Sequence, residues 1–137
     1  MSPRYLLDTN ILSDLLKNPA GRSAQKLKAL PLEERDLAAT SIVVAAELRY
    51  GAAKSGSPIL SERIEKLLKS IEILPLADGA DQHYGRIRSE LEKGGIVIGA
   101  NDLLIAAHAL ALNTVLVTDN VREFKRVKGL RLENWLR

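Results

Sequence analysis

The chain has 137 residues and a net charge of +3, and it is 46% hydrophobic and 27% charged. This is the length of one ordinary domain, so we expect residues 1–137 to fold as a single unit around its own core. The absence of cysteine excludes disulfides and thiolate metal sites. Only 4% of the residues are aromatic, which argues against a surface on which nucleic-acid bases stack.

Two features of the sequence favour a cytoplasmic protein that does not enter a membrane. The most apolar stretch, residues 103–112, is too short and too rich in alanine to span a bilayer. Residues 1–5 lack the apolar region of a secretory signal peptide. The mild excess of basic residues is spread along the chain, which is compatible with a nucleic-acid partner but does not require one.

The first apolar run of the chain ends at an acidic residue. Residues 4–7 predict a short strand, and Asp8 follows it directly. The apolar residues at 11, 12, 15 and 16 then have helical spacing. Asp8 is therefore expected at a strand-to-helix junction, where an aspartate either caps the helix or belongs to a functional site.

A glutamate interrupts the apolar side of a later helix. Residues 23–30 predict a second helix and residues 37–39 a short strand, followed by a helix over 42–54. Glu47 lies in the apolar stripe of this last helix, where an unpaired buried charge would cost on the order of several kcal/mol. Either a salt bridge to an arginine or a bound cation would explain it.

The middle of the chain predicts a helix, a strand and another helix. Ser57 is a suitable N-cap, with proline following it at the first helical position. Residues 71–76 alternate as a strand does, and the next helix begins at Asp78 or Asp81 and runs to about Lys93.

An apolar helix and strand separate two further aspartates, Asp102 and Asp119. Asn101 is the expected N-cap of a helix over 103–112, with Asp102 at its first position, where the helix dipole favours an acid. Residues 115–117 are suited to a buried strand that ends before Asp119. The remaining elements are a short amphipathic helix over 121–127 and an edge strand over 130–136.

This alternation predicts an α/β sandwich with a central, mainly parallel sheet and helices on both faces. Asp8 and Asp119 then lie at strand ends on one edge, and Glu47 and Asp102 can point there. Like charges about 4 Å apart repel by roughly 4 kcal/mol at an effective dielectric near 20, so such a cluster holds either protons or a cation. Oxygen ligands alone favour Mg²⁺ or Mn²⁺, whose bound water can attack a phosphodiester.

Four short segments carry these acids in a fixed order. They read Leu-Leu-Asp8-Thr-Asn, Ala-Glu47-Leu-x-x-Gly51, Asn-Asp102-x-x-Ile-Ala-Ala-x-Ala and Leu-Val-Thr118-Asp-Asn-x-x-Glu-Phe124. Together they resemble the PIN-domain ribonucleases, specifically the VapC-type toxins of toxin–antitoxin pairs, over essentially the whole chain. The resemblance implies a PIN-like α/β/α sandwich and Mg²⁺-dependent endoribonuclease activity on structured RNA such as tRNA or rRNA. It also implies a homodimer and a cognate antitoxin that blocks the site.

The resemblance also implies roles for individual residues. Asp8, Glu47 and Asp102 match the first three acids of the family and are expected to be catalytic and to bind the metal, with Mg²⁺ expected and Mn²⁺ as a second possibility. In the implied mechanism Asp8 and Asp102 bind the ion, and Glu47 orients or deprotonates a water that attacks the phosphodiester in line. Thr118 and Asn10 are expected to support the site through hydrogen bonds.

The fourth acidic position has three candidates. The family places an Asp or Asn near the end of a Thr-x-Asp/Asn triplet, which puts Asn120 in register and Asp119 one residue early. Asp119 is the first choice as a fourth catalytic and metal-binding residue, and Glu123 is the second. The sequence identifies no substrate-binding residue and no particular RNA target.

Two other classes of protein remain as alternatives. A non-catalytic RNA- or protein-binding module could retain the fold and use the acids as helix caps and turn residues. A flavodoxin-like nucleotide binder is disfavoured because the chain lacks the glycine fingerprint of such sites. Incubation with RNA in Mg²⁺ or in EDTA distinguishes an enzyme from a binding module.

Overall fold

Five short strands form the central sheet of the computed structural model, which describes residues 3–137. They are β1 (Tyr5–Leu7), β2 (Ala38–Ser41), β3 (Glu72–Leu74), β4 (Val115–Val117) and β5 (Arg131–Glu133). All neighbouring pairs are parallel, and the order across the sheet is β3-β2-β1-β4-β5. The predicted central parallel sheet is confirmed, with β1 as its middle strand.

Eight helices follow and connect these strands within the described residues. They are α1 (Thr9–Lys17), α2 (Arg22–Ala29), α3 (Leu32–Arg35), α4 (Ile42–Ser55), α5 (Pro58–Lys69), α6 (Ala80–Lys93), α7 (Ala100–Leu112) and α8 (Val121–Phe124). None of the helices in residues 3–137 has the length and apolar run needed to cross a bilayer.

Side-chain caps mark the start of some of the long helices but not of all. Ser41 and Ser57 cap α4 and α5 through their hydroxyl oxygens, as the sequence predicts for Ser57. The predicted cap of α7 is wrong, because Gly99 rather than Asn101 precedes the first helical residue. Asp102 nevertheless lies in the first turn of α7, where its charge is favoured by the helix dipole.

The core surrounds the two middle strands. Leu6 and Leu7 on β1 and Leu116 and Val117 on β4 have no exposed surface, because helices cover both faces of the sheet. The outer strands β3 and β5 are only partly buried. The middle turns of α7 are almost entirely buried, which is why the sequence of this helix is rich in small and apolar residues.

The strand order determines where a site can form. The chain moves from β1 to β2 and β3 on one side, and β4 and β5 lie on the other side of β1. In open parallel sheets, ligands bind beyond the carboxyl ends of the strands at the point where this order reverses. Here that point lies between β1 and β4, where the backbone N–H of Asp8 donates to the carbonyl of Val117 at 2.9 Å.

Candidate active site

Asp8 occupies the junction between β1 and α1 and is 4% exposed. Its Oδ1 accepts a hydrogen bond from the backbone N–H of Thr9, and its Oδ2 accepts one from the Thr118 hydroxyl, each at 2.8 Å. Burial raises the pKa of Asp8, and the hydrogen bonds from Thr118 and Thr9 oppose that rise. The carboxylate is therefore held in one orientation at the edge of the sheet.

Thr118 joins the end of β4 to this carboxylate. Its oxygen accepts a hydrogen bond from the N–H of Asn120 at 3.0 Å and a long one from the Asn10 amide at 3.5 Å. The Asn10 carbonyl oxygen in turn accepts from the N–H of Asp119 at 3.0 Å. A hydroxyl has a single hydrogen, so that of Thr118 is committed to Asp8. The supporting contacts expected of Thr118 and Asn10 are present.

Glu47 and Asp102 come from two neighbouring helices. Oε1 of Glu47 on α4 accepts a hydrogen bond from the Thr9 hydroxyl at 2.8 Å. Asp102 lies in the first turn of α7 and is partly buried. Among residues 3–137, no lysine or arginine forms an ion pair with Asp8, Glu47 or Asp102. A salt bridge therefore does not explain the glutamate inside the apolar stripe of α4.

The electrostatics show that these acids act on one another. The pKa of Asp102 rises to about 6, first because burial disfavours its charged form, and then because of the charges of Asp8, Glu123 and Glu47. A carboxyl group in such surroundings either takes up a proton or requires a cation. The structure thus brings the first three predicted acids together, and it adds Glu123 to them.

Glu123 reaches this group from the short helix α8. Its Oε2 accepts a hydrogen bond of 2.7 Å from the side-chain amide of Asn120. Asn120 lines the same cleft as Asp8 and Asp102. The structure therefore supports the second choice for the fourth acidic position, with Asn120 holding Glu123 in place.

The structure places Asp119, the first choice made from sequence for the fourth acid, outside the cluster. Oδ1 of Asp119 accepts hydrogen bonds from the Asn134 amide at 3.0 Å and from Nε of Arg137 at 3.3 Å. The hydrogen bond from Asn134 is the main reason why the pKa of Asp119 is lowered. Successive side chains leave an extended segment on opposite sides, so Asp119 turns away where Thr118 turns toward Asp8.

The acids open into a cleft of about 550 Å³. One wall is formed by Asp8, Glu47 and Asp102, and another is the polar side of α1, which carries Ser13 and Lys17. The sequence alone predicts no role for this side of α1. The available signal was the spacing of three and four residues between its polar side chains, which places them on one helix face.

The donor set fits a hydrated divalent cation. Within residues 3–137, no three Asp, Glu or His side chains lie close enough to ligate one ion together. Mg²⁺ needs only one or two carboxylates, because it retains several water ligands. Carboxylate oxygens without a paired cation, as found here, are the donors that Mg²⁺ and Mn²⁺ prefer.

Comparison with known proteins identifies the family of this chain. The family model for the PIN domain matches residues 5–130. The chain is 40% identical over 132 residues to ribonuclease VapC2 of Rickettsia felis, covering 96% of this chain and 97% of the relative. It is 38% identical over 136 residues to the tRNA(fMet)-specific endonuclease VapC of Shigella flexneri, covering 96% and 98% of the two chains.

Solved structures of toxin–antitoxin complexes contain the same fold. A chain of VapBC2 from Rickettsia felis bound to a DNA fragment from their promoter has a TM-score of 0.85 and 38% identity, with 96% of this chain and 98% of that chain covered. A chain of VapBC-1 from nontypeable Haemophilus influenzae has a TM-score of 0.84 and 38% identity, with 97% and 98% covered. The chain therefore belongs to the PIN-domain family, among its VapC-type ribonucleases.

Proposed function

We propose that this chain is the endoribonuclease toxin of a toxin–antitoxin pair and that it cuts RNA with the help of Mg²⁺, with Mn²⁺ as an alternative ion. The observation that carries the proposal is the convergence of Asp8, Glu47, Asp102 and Glu123 at one sheet edge, with no ion pair to any of them among residues 3–137. Nucleases with a PIN domain generally depend on a divalent metal ion. The relatives named as ribonucleases support RNA as the substrate.

Asp8 and Asp102 are the proposed ligands of the ion. Asp8 is preorganised, because hydrogen bonds from Thr9 and Thr118 fix both of its oxygens. Asp102 stands at the start of α7, and its raised pKa means that its charge lacks compensation until a cation is present. When bound, a divalent ion polarises a phosphoryl oxygen and makes water a better nucleophile at neutral pH.

Glu47 and Glu123 are proposed to act on the attacking water. Glu47 is anchored through Oε1 by the Thr9 hydroxyl, which leaves Oε2 to accept the proton of a water attacking phosphorus. Glu123, which follows β4, is anchored by Asn120, and its charge acts on Asp102. Both groups are positioned by the protein before substrate arrives.

The proposed substrate is tRNA, and the proposed regulator is a protein antitoxin. One relative is named for tRNA(fMet), so initiator tRNA is the first substrate to test. Several solved relatives are VapBC toxin–antitoxin complexes, two of them described as bound to DNA. An antitoxin that covers the cleft would exclude RNA, and a homodimer of this chain would carry two such clefts.

Cleavage of initiator tRNA by the purified protein tests this proposal. We expect cleavage in Mg²⁺, none in EDTA, and none above the EDTA background for Asp8→Asn, which should keep the circular dichroism spectrum of the wild type. Asp36→Asn is the matched control, because Asp36 is exposed at the end of α3. A well-folded Asp8→Asn protein with full activity would contradict the proposal. Binding of tRNA without cleavage in Mg²⁺ or Mn²⁺ would instead identify a binding module.

A further inference from the structure

One face of α1 leads away from the acids. Helical spacing places Asn10, Ser13 and Lys17 on this face, while Ile11 and Leu12 are buried on the other. The helix has 9 residues, so its far end lies about 13 Å from its start at a rise of 1.5 Å per residue. The polar face of α1 therefore connects the acids to a region well outside the cluster.

A second cleft of about 580 Å³ continues the first past the end of α1. The two clefts share Asp14, Lys17, Asn18 and Leu136 as lining residues, so they form one continuous groove. The second cleft ends at Arg22, the first residue of α2. We call this surface the α1 groove.

Two cations of the α1 groove have no ion-pair partner in the part of the chain that the structure describes. Lys17 and Arg22 are both exposed, and neither forms an ion pair among residues 3–137. Five arginines are paired with acids in this part of the chain, as Arg49 is with Glu65 at 3.0 Å, while others are unpaired as Arg22 is. What distinguishes Lys17 and Arg22 is their position in a groove that leads to the cluster of acids.

The acid that accompanies these cations forms no ion pair with either of them in the described residues. In the part of the chain described by the structure, Asp14 is the one acid lining the second cleft. Its Oδ1 accepts a hydrogen bond from the Asn18 amide at 2.8 Å, and its Oδ2 is buried 3.5 Å from the position that a Cβ on Gly21 would take. Gly21 is the N-cap of α2, where the helix dipole stabilises a negative charge.

We propose that the α1 groove binds the sugar-phosphate backbone of the RNA on one side of the cleaved bond, with Lys17 and Arg22 each contacting a phosphate. This inference rests on the proposed function. A distance of about 13 Å corresponds to about four nucleotides of a stacked strand at 3.4 Å each. The metal-binding acids at one end of the groove meet the reacting phosphate, and the two cations hold the strand beyond it.

The lining of the α1 groove favours contact with the backbone rather than with bases. No aromatic side chain lies among its lining residues within 3–137, so bases have no surface on which to stack. Contacts from lysine and arginine to phosphates position a strand without reading its sequence, and they weaken as salt rises. The α1 groove therefore contributes affinity for RNA and fixes the direction of the bound strand. Recognition of a particular RNA sequence must depend on other residues.

Neutralising the two cations tests the assignment. The variant Lys17→Gln/Arg22→Gln is compared with Lys66→Gln/Lys69→Gln, which removes the same charge from exposed positions on α5. For cleavage of initiator tRNA we expect the groove variant to raise KM about tenfold with kcat nearly unchanged. The slope of log affinity against log salt should fall by about 1.4, which is 0.7 for each lost phosphate contact to a single strand.

Equal KM values and equal salt slopes for the two double variants would overturn the assignment while leaving the nuclease intact. Fluorescence anisotropy of labelled initiator tRNA in EDTA, with the same variants, separates the two proposals. If the wild type never cleaves RNA, the proposed function fails, and the anisotropy still shows whether the groove binds RNA. Unchanged RNA binding with weakened binding of the antitoxin would show that the groove serves a protein, which also overturns the assignment.

Discussion

The hydroxyl of Thr118 donates a hydrogen bond of 2.8 Å to Oδ2 of Asp8, a residue 110 positions earlier in the chain. Thr118 is fully buried, and the same oxygen accepts from the N–H of Asn120. This one side chain therefore sets the orientation of the first acid and the start of the segment that carries Glu123. The site depends on the packing of β4 beside β1.

Replacement of Thr118 by valine should destabilise the fold. The change keeps the shape but leaves Oδ2 of Asp8 and the N–H of Asn120 without their partner, and the free energy of unfolding should fall by about 1–3 kcal/mol. Thr118→Ser keeps the hydroxyl and should lose less. Urea unfolding of both variants measures the difference, and equal stability of the two would show that the hydrogen bond contributes nothing.

The two candidates for the fourth acid should differ in activity. Asp119→Asn keeps hydrogen-bonding capacity toward Asn134 and Arg137 at a site outside the cluster, so cleavage should stay within about twofold of wild type. Glu123→Gln removes a charge that acts on Asp102 and should lower kcat at least about tenfold. If Asp119→Asn lost more cleavage activity than Glu123→Gln, Asp119 rather than Glu123 would be the fourth acid of the site.

Stability should depend on pH through Asp102. Its pKa rises from 3.8 to about 6 in the folded protein, so between these values the native state binds more protons there than the unfolded chain does. The contribution of Asp102 to stability is therefore fully present at low pH and is lost as pH rises through this window. Asp8, whose pKa is also raised, acts in the same direction.

Thermal unfolding in EDTA from pH 4.5 to 7.5 tests this dependence, with Asp102→Asn as the comparison. The difference in Tm between the variant and the wild type should grow in favour of the variant as the pH rises through the window. Mg²⁺ should raise the Tm of the wild type more at pH 7 than at pH 5, because the ion binds the ionised carboxylate. If the Tm of the wild type and that of Asp102→Asn changed in parallel with pH, the raised pKa of Asp102 would be contradicted.

A buried hydrogen bond between Ser41, at the end of β2, and α7 should make the Ser41 cap more costly to remove than the Ser57 cap. The Ser41 oxygen accepts from the N–H of Val43 at 3.1 Å and lies 2.8 Å from Nδ1 of His108, which has no exposed surface. Ser41→Ala removes both interactions, and we expect a loss of about 2–3 kcal/mol. Ser57→Ala removes only a cap and should cost about 1 kcal/mol. Equal losses in urea unfolding would argue against the contribution of His108.

Local sequence patterns predicted most elements of the fold. Apolar spacing located α1 and α4, and the short alternating or β-branched runs located β3 and β4, because burial on one or both faces imposes these periods directly. The Ser57 cap and the proline after it located the start of α5. Helix α3 was not predicted, since its four residues are too few for a period to show. Local patterns could not predict the strand order either, because it depends on packing between segments that lie far apart in the chain.

The sequence identified three acids of the candidate site, but it could not predict the contacts that surround them. Asp8 follows a strand, Asp102 lies in the first turn of a helix, and Glu47 interrupts the apolar stripe of another helix, so local patterns mark all three. The direction of Asp119 could not be inferred, because it depends on Asn134 and Arg137 near the end of the chain. No local pattern states which of two adjacent polar residues after a strand turns toward the sheet edge.

Calorimetric titration of Mg²⁺ into the metal-free protein at pH 7 tests the central claim most directly. The wild type and Asp119→Asn should show the same binding, and Asp8→Asn and Asp102→Asn should lose it while remaining folded. Equal Mg²⁺ binding by all four proteins would show that the converging acids do not form the metal site.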